Sequence, residues 1–507
     1  MIACFAIHSF DVDFCLAHSA KTGDFITRRP TQKHGPPLHW NLLFAESPRL
    51  RYDSIPGSCL TLSNLRFHYA CHHRERVKMK ITIFTAGSRG DIQPCIVLGR
   101  GLQQAGYDVC LAAPEDFAGF IQQHDVSFFP LRGDVQQIMA SDTGRKFMET
   151  GGANPVKSIR AIRTMLAPVV MRMAEDAYAA CINAEALICL GVFSPFGQSI
   201  AEALRIPTIN VEPTPLLPTQ AFPAPSWPIQ RNLGGLHNYI SGMAMLQVIW
   251  LWYRPFVYDF RRRLGLPTCS AARFYRTFRS TPLLSAYSPN LIPHPADWPD
   301  SVHVTGYFFL DSQLDWQPSS ELKAFLEAGA PPVYIGFGSM AGRNPEQLAG
   351  LALESLAKCG QRGLLLRGWG GMRTESVPDN VFMVDSAPHS WLFPRMAAVV
   401  HHGGAGTTAE GLRAGVPTVI VPFVFDQPFW GARVKALGLG PDPIPQKVLT
   451  ADSLAHAITI AVTDSGMKRR ANSYGAAIRA ENGIGNAVQI VKCCFGAPGV
   501  AECEPDL

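Results

Sequence analysis

Short apolar runs of strand character alternate twice with stretches of helical composition, and this double alternation limits what the chain can fold into. The first series opens at Lys80 with KITIFT, passes a small-residue loop (Ala86 to Gly90), and then reads as a helix over Ile92 to Ala105 and a strand over Tyr107 to Ala112. It continues through LICLG (Leu187 to Gly191) and PTINVEPTP (Pro207 to Pro215). The second series opens at Val333 with VYIGFGS and runs through GLLLRG (Gly363 to Gly368), VFMVDS (Val381 to Ser386), AAVVHHGG and TVIVP (Thr418 to Pro422). Strands separated by helices on short loops pair in parallel, with helices covering both faces of the sheet. Two such series predict an α/β chain with two Rossmann-like domains. At 507 residues, 47% of them hydrophobic, the length suffices for two or three domains with sizeable cores.

The expected organisation is an unpatterned extension over 1–78, an N-terminal domain over 79–310, a polar linker over 311–332 and a C-terminal domain over 333–507. The extension holds seven of the fifteen histidines and changes character abruptly at Met79-Lys80, so a chain beginning at Met79 is expected to fold. It also carries ten Lys/Arg against six Asp/Glu, +4 of the formal +5, which leaves the patterned part nearly neutral. That excludes a nucleic-acid binder, which needs a basic stripe on the folded part. Thirteen cysteines without a C-x-x-C pair indicate reduced thiols in a cytoplasmic protein. No N-terminal basic segment precedes an apolar stretch, so no signal peptide is expected. The charge-free run Asn232 to Tyr253 approaches the ~20 residues of a spanning helix. Its Gly, His, Asn, Ser and Gln residues favour a buried or interfacial helix instead, with Trp250, Trp252 and Tyr253 in the core, on a pocket wall or at a bilayer surface.

The stretch His401 to Gln427, HHGGAGTTAEGLRAGVPTVIVPFVFDQ, carries the chemistry. An apolar strand feeds a Gly403-Gly404-Ala405-Gly406-Thr407 turn and then a helix, which points backbone N–H groups and the positive helix end at an anion. A second strand leads to Asp426-Gln427, a carboxylate and an amide able to bind neighbouring hydroxyls of a hexose.

This segment resembles the donor signature of GT-B nucleotide-sugar glycosyltransferases, in the branch holding sterol 3β-glucosyltransferases and antibiotic aglycone glycosyltransferases. The resemblance implies two Rossmann-like domains facing across a cleft, the donor mainly on the C-terminal one and the acceptor mainly on the N-terminal one. It also implies a terminal helix, about Lys468 to Ile490, crossing back to the first domain. His402, rather than His401, falls on the pyrophosphate histidine. Gly404, Gly406 and Thr407 lie in the phosphate turn, and Glu410, Asp426 and Gln427 fall on the sugar and ribose ligands. Ser339, at the end of a G-x-G-S strand, would donate to the diphosphate, while Pro388 and His389 would neighbour the uracil. Trp391 is read as either base wall or core.

In the first strand-to-helix loop, Gly87-Ser88-Arg89-Gly90-Asp91 matches the sterol-glucosyltransferase form, placing Ser88, Arg89 and Gly90 on the donor side. Related plant enzymes carry Gly-His-x-x-Pro here; Gly90-Asp91-Ile92-Gln93-Pro94 has Asp in place of His. Asp91 is therefore the expected base, and it is also read as the cap of a helix with Pro94 in its first turn. Trp250, Trp252 and Phe222 are the candidate acceptor contacts, Phe222 from a Pro-rich loop (Pro213 to Pro228) near the mouth of the site. The expected reaction moves glucose from UDP-glucose, with inversion, to the hydroxyl of a sterol-like or other lipophilic acceptor. No cofactor or metal is expected. Peripheral contact with a membrane is part of this reading. The alternatives are a nucleotide-sugar 2-epimerase on the same fold, a transferase using another activated hexose on an antibiotic aglycone, and a binding module that has lost catalysis. Asp11-Val12-Asp13 resembles a metal-binding D-x-D, but its unpatterned surroundings give it no role.

Overall fold

Four of the five side chains in β1 (Lys80–Phe84) are buried in succession, the mark of a strand covered on both faces. The structure, a computed structural model, describes residues 78–133, 155–311, 316–338, 345–367, 372–374 and 376–496. The expectations for the N-terminal extension, for Asp11-Val12-Asp13 and for Ser339 lie outside the described residues.

After β1 come α1 (Arg89–Gln104), β2 (Asp108–Pro114), α2 (Ala118–Gln122), β3 (Ser127–Leu131), α3 (Pro155–Cys181), β4 (Ala186–Leu190), α4 (Ser194–Leu204) and β5 (Thr208–Glu212). Two helices follow, α5 (Gly235–Arg263) and α6 (Ala271–Ser280), then β6 (Leu283–Ser285) and β7 (Val302–Val304). The seven strands form one parallel sheet in the order β3-β2-β1-β4-β5-β6-β7. The segment expected to be a plain linker carries α7 (Ser320–Glu327), capped by the Ser319 hydroxyl.

The second series gives β8 (Val333–Gly336), α8 (Pro345–Cys359), β9 (Gly363–Leu366), β10 (Val381–Val384), α9 (His389–Leu392), β11 (Ala398–His401), α10 (Ala405–Ala414), β12 (Thr418–Ile420) and α11 (Gln427–Ala436). Its sheet is also parallel, in the order β10-β9-β8-β11-β12. The chain ends in α12 (Ala451–Thr463), α13 (Ser465–Arg479) and α14 (Gly483–Phe495). The two parallel sheets with their helices are the two expected Rossmann-like α/β domains.

The single terminal helix expected over Lys468 to Ile490 is two helices, because Asn482 starts a new one by capping the Gly485 N–H at 3.0 Å. Its second part returns to the first domain: Ala487, Val488 and Val491 are buried in one cluster with Ile81 and Ile96. Gly101 on α1 allows that approach, since a Cβ there would stand 2.5 Å from Ile484. Another apolar cluster joins the two halves, with Leu217, Tyr287 and Trp298 from the first and Ile420, Phe429 and Trp430 from the second. Burying one such large side chain contributes about 1.5–3 kcal/mol. The eight cysteines among the described residues are free thiols.

Candidate active site

In each sheet the strand order turns back at one point, between β1 and β4 in the first and between β8 and β11 in the second. Ligands of open α/β sheets bind outside the carboxyl ends of strands at such points. The first turn of the helix after β1 carries Asp91 and the loop after β11 carries His402, so both candidates lie where the topology opens a crevice.

Asp91 is not the N-cap. Helix α1 begins at Arg89, three residues earlier than expected, with Ser88 as N-cap and Asp91 as its third residue in a reciprocal capping box. Pro94 consequently sits in the second turn. The Ser88 N–H and hydroxyl donate to Asp91 Oδ2 at 2.8 and 3.2 Å, and Gly90 N–H donates to Ser88 Oγ at 3.3 Å. The other oxygen, Oδ1, is 4.0 Å from where a Cβ on Gly191, just after β4, would stand. Gly87, at φ +144°, lets the backbone close over the carboxylate; a Cβ there would fall 2.3 Å from Oδ2. Recession in the cleft raises the Asp91 pKa, and the charge of Asp426 on the opposite half raises it further. The two carboxylates therefore feel each other across the cleft. Arg89 lies over the Phe120 ring at 4.6 Å, and its charge reaches His389 in the second half.

The paired histidines separate cleanly. His401, the last residue of β11, is fully buried and its Nδ1 accepts from the Gly403 N–H at 3.0 Å. His402, one residue on, faces the crevice: its Cε1 is 3.7 Å from a Cβ position on Gly338 and its Nε2 2.5 Å from one on Gly404. Glycines on both sides make room for the ring. Burial pushes the His402 pKa down to about 4, so the imidazole is neutral near pH 7, and its buried Nδ1 has no protein partner.

The N-cap of helix α10 is Gly404, which has no side chain to cap it. The N–H groups of Ala405, Gly406 and Thr407 stand at an uncapped positive end. A Cβ on Gly406 would meet nothing within 4 Å. Glu410, one turn on, is buried and its pKa is pushed up to about 7 by burial. Its nearest cation, Arg413, stands 4.0 Å away and is also held by Asp311 and the Phe309 ring.

Asp426 precedes α11 and follows Phe425, a non-glycine residue at φ +57° with its ring exposed. Such strain persists only where the surroundings impose it. Asp426 Oδ2 accepts from Trp430 Nε1 at 2.9 Å and from Thr214 Oγ1, a residue of the first half, at 3.0 Å. Gln427 is buried, and its Oε1 accepts from the N–H groups of Phe423 and Val424 at 2.7 and 3.1 Å, fixing the loop. Pro388 is the N-cap of α9, and the His389 ring stacks on Phe393 at 4.3 Å with Nε2 3.4 Å from Tyr334 Oη. Burial lowers the His389 pKa to about 4. Trp391 packs against Trp316 and Arg395.

The acceptor expectations fare differently. Trp250 is only 3% exposed, stacks on Phe274 at 4.9 Å and lines a partly open cavity of about 290 Å³ with Ile206 and Thr208. Thr208 opens β5 and Glu212 closes it, so at ~3.3 Å per residue the cavity lies roughly 13 Å from the catalytic edge. Trp250 is thus a core residue, not an acceptor contact at that edge. Trp252 is half-buried. Phe222 bridges the halves, 5.6 Å from Phe429 and 6.1 Å from Trp298.

Sequence reasoning missed Thr214 and Glu212. Glu212 ends β5, is 3% exposed and accepts weakly from Ser194 Oγ at 3.4 Å. An acid at the carboxyl end of a parallel strand was the available signal. Burial pushes its pKa up to about 8, with Asp91's charge adding to the shift. Because the folded protein holds this proton more tightly than the unfolded chain, the stabilising contribution is complete below about 4.5 and is lost as pH rises through about 8. The urea midpoint should therefore decline between those values, and Glu212→Gln, neutral throughout, should flatten the decline. Equal slopes in both proteins would mean that Glu212 titrates normally.

Comparison with known proteins places this crevice. Residues 81–223 match the glycosyltransferase family 28 N-terminal domain, and residues 369–485 match the C-terminal domain of erythromycin biosynthesis protein CIII-like proteins. A sterol 3-beta-glucosyltransferase of Arabidopsis thaliana is 37% identical over 81% of this chain and 67% of its own length. An O-mycaminosyltylonolide 6-deoxyallosyltransferase of Streptomyces fradiae is 36% identical over 82% of this chain and 97% of its own. The chain spans under a third of the length of the Aspergillus sterol 3-beta-glucosyltransferases that it also matches. The crystal structure of the glycosyltransferase of kitacinnamycin superposes with a TM-score of 0.62 at 19% identity, covering 82% of this chain and 99% of that one, which shows a shared fold. The crevice is that of a glycosyltransferase. The chain belongs to the UDP-glycosyltransferase family of GT-B fold.

Proposed function

We propose that the chain transfers glucose from UDP-glucose, with inversion, to the hydroxyl of a sterol-like acceptor at a membrane surface. The observation that carries this is Asp426 bonded across the halves to Thr214, with an uncapped α10 N-terminus in its own half and Asp91 at the strand-order reversal of the first sheet. In this reading the diphosphate sits on the N–H groups of Ala405, Gly406 and Thr407, with a neutral N–H of His402 beside it. Asp426 and Gln427 hold the glucose, Asp426 through Oδ1 and Gln427 through its amide NH₂. Glu410 holds the ribose hydroxyls. Asp91 uses Oδ2 for the capping box and Oδ1 for chemistry. The acceptor oxygen gives its proton to Oδ1 as it bonds to the anomeric carbon. The bond from that carbon to the diphosphate breaks on the opposite face, and UDP leaves with the electron pair. Fixed backbone dipoles and His402 stabilise the departing charge without a metal ion, a task electrostatic preorganisation performs well.

The sterol 3-beta-glucosyltransferase relatives support the acceptor class, and the Streptomyces relative supports an antibiotic aglycone as the second choice. An epimerase is not favoured by either relative. Incubation with UDP-glucose should release UDP only when a sterol is present, one UDP per steryl glucoside. Equal release without acceptor, or conversion to an epimer, would overturn the proposal.

A further inference from the structure

Six of the ten large apolar side chains exposed among the described residues fall between positions 229 and 251: Ile229, Leu233, Leu236, Ile240, Met243 and Leu251. Scattered exposed apolar residues are ordinary, but a contiguous set marks an interaction surface. Leu236, Ile240, Met243 and Leu251 lie on α5 and are 77, 53, 37 and 49% exposed. With Gln247 and Arg254, also exposed, they follow one another at helical spacing and form a strip about 80° wide along the outer side of α5. Ile229 and Leu233 extend the patch into the preceding loop.

Along the segment that forms this strip the charges have one sign. No acid occurs between Glu212 and Asp259, while exposed Arg231 and Arg254 stand near the two ends of the patch. Helix α6, which bears Arg276 and Arg279 as well as Arg273, ion-paired with Glu202, lies beside α5, with Tyr275 near Tyr239. The acid that reaches Tyr239 is Asp297, and its carboxylate already accepts from Thr219 Oγ1 and the Gln220 N–H at 2.7 and 2.8 Å. Among the described residues no helix is long and apolar enough to cross a membrane. A helix with a bare apolar strip and flanking arginines fits the plane of a bilayer interface.

We propose that the outer face of α5, with the loop before it, docks on a bilayer bearing anionic headgroups. This deepens the functional reading above and rests on it: an acceptor dissolved in the bilayer would reach the cleft beside the docked face. The loop before α5 also carries Thr214, bonded to Asp426, and Phe222, packed on Phe429. One segment thus joins the docking face to the donor site.

The test is sedimentation of the full chain with vesicles of phosphatidylcholine alone or with 30 mol% phosphatidylserine, beside the double variant Leu236→Ser, Ile240→Ser. The native chain should sediment with the anionic vesicles and much less with the neutral ones, binding should weaken with salt, and the variant should bind at least fivefold less. Transfer to a sterol held in cyclodextrin should be the same for both proteins, which shows that the variant is folded. Equal vesicle binding by the two would overturn the proposal. So would light scattering that finds a native dimer turned monomeric by the substitutions, since the occupant would then be a second copy. Loss of transfer to the soluble sterol by both proteins, with the difference in vesicle binding intact, would overturn the acceptor reading and leave the surface standing.

Discussion

Asp91→Asn should fold, bind UDP-glucose as the native protein does, and turn over at least about a hundredfold more slowly, since general-base help contributes about 10²–10⁴-fold. The geometry makes the substitution selective. Asp91 accepts from the Ser88 N–H and hydroxyl through Oδ2, and an asparagine carbonyl accepts the same bonds, so α1 keeps its capping box. What disappears is the proton acceptor at Oδ1. Losing the whole cap would cost only about 1 kcal/mol of stability, too little to mimic the loss of a base. The pH profile gives a second reading: because recession in the cleft and Asp426's charge raise the Asp91 pKa, the acid limb of native turnover should lie above the usual carboxylate range. Activity should fall as pH drops through that limb. Near-normal turnover by Asp91→Asn would confine Asp91 to the cap.

Asp426→Ala should reduce transfer at least tenfold, with the donor's KM rising. Hydrogen bonds to a charged group are worth roughly 1.5–3 kcal/mol each, and the substitution removes the one proposed to the sugar. It also strips Trp430 Nε1 and Thr214 Oγ1 of their shared acceptor, which loosens a contact between the halves. Asp426→Asn keeps a carbonyl for Trp430 and Thr214, so the comparison separates sugar binding from alignment of the halves. If both variants transfer at the native rate, the donor site is elsewhere.

Much of this was legible in the chain because local rules dictate it. The strand, glycine turn and helix around His402 follow from the residues that such a turn requires. The family resemblance prefers His402 over His401, and the structure separates the two: His401 closes β11 and is fully buried, while His402 is the first residue past the strand. Helix boundaries were less legible. The start of α1 depends on Ser88 and Asp91 capping each other, a reciprocal bond that displaces the expected start by three residues.

The placement of individual side chains was less legible still. Trp250 is buried because α6 lays Phe274 over it, whereas Leu236 on the same helix has no such cover. Composition cannot say which face of α5 a later helix will hide. The bond from Thr214 to Asp426 spans 212 positions and exists only once the halves have docked. Glu212 escaped notice for a related reason, since an acid closing an apolar strand stands out only when the packed sheet buries it within reach of Asp91's charge.

The proposed transfer is a direct displacement at the anomeric carbon by an acceptor oxygen that Asp91 deprotonates. NMR analysis of the product formed from α-linked UDP-glucose and a sterol tests this most directly. The native chain should give a β-linked steryl glucoside, and Asp91→Asn essentially none in the same time. An α-linked product, or a β-linked one formed equally fast by the variant, would contradict it.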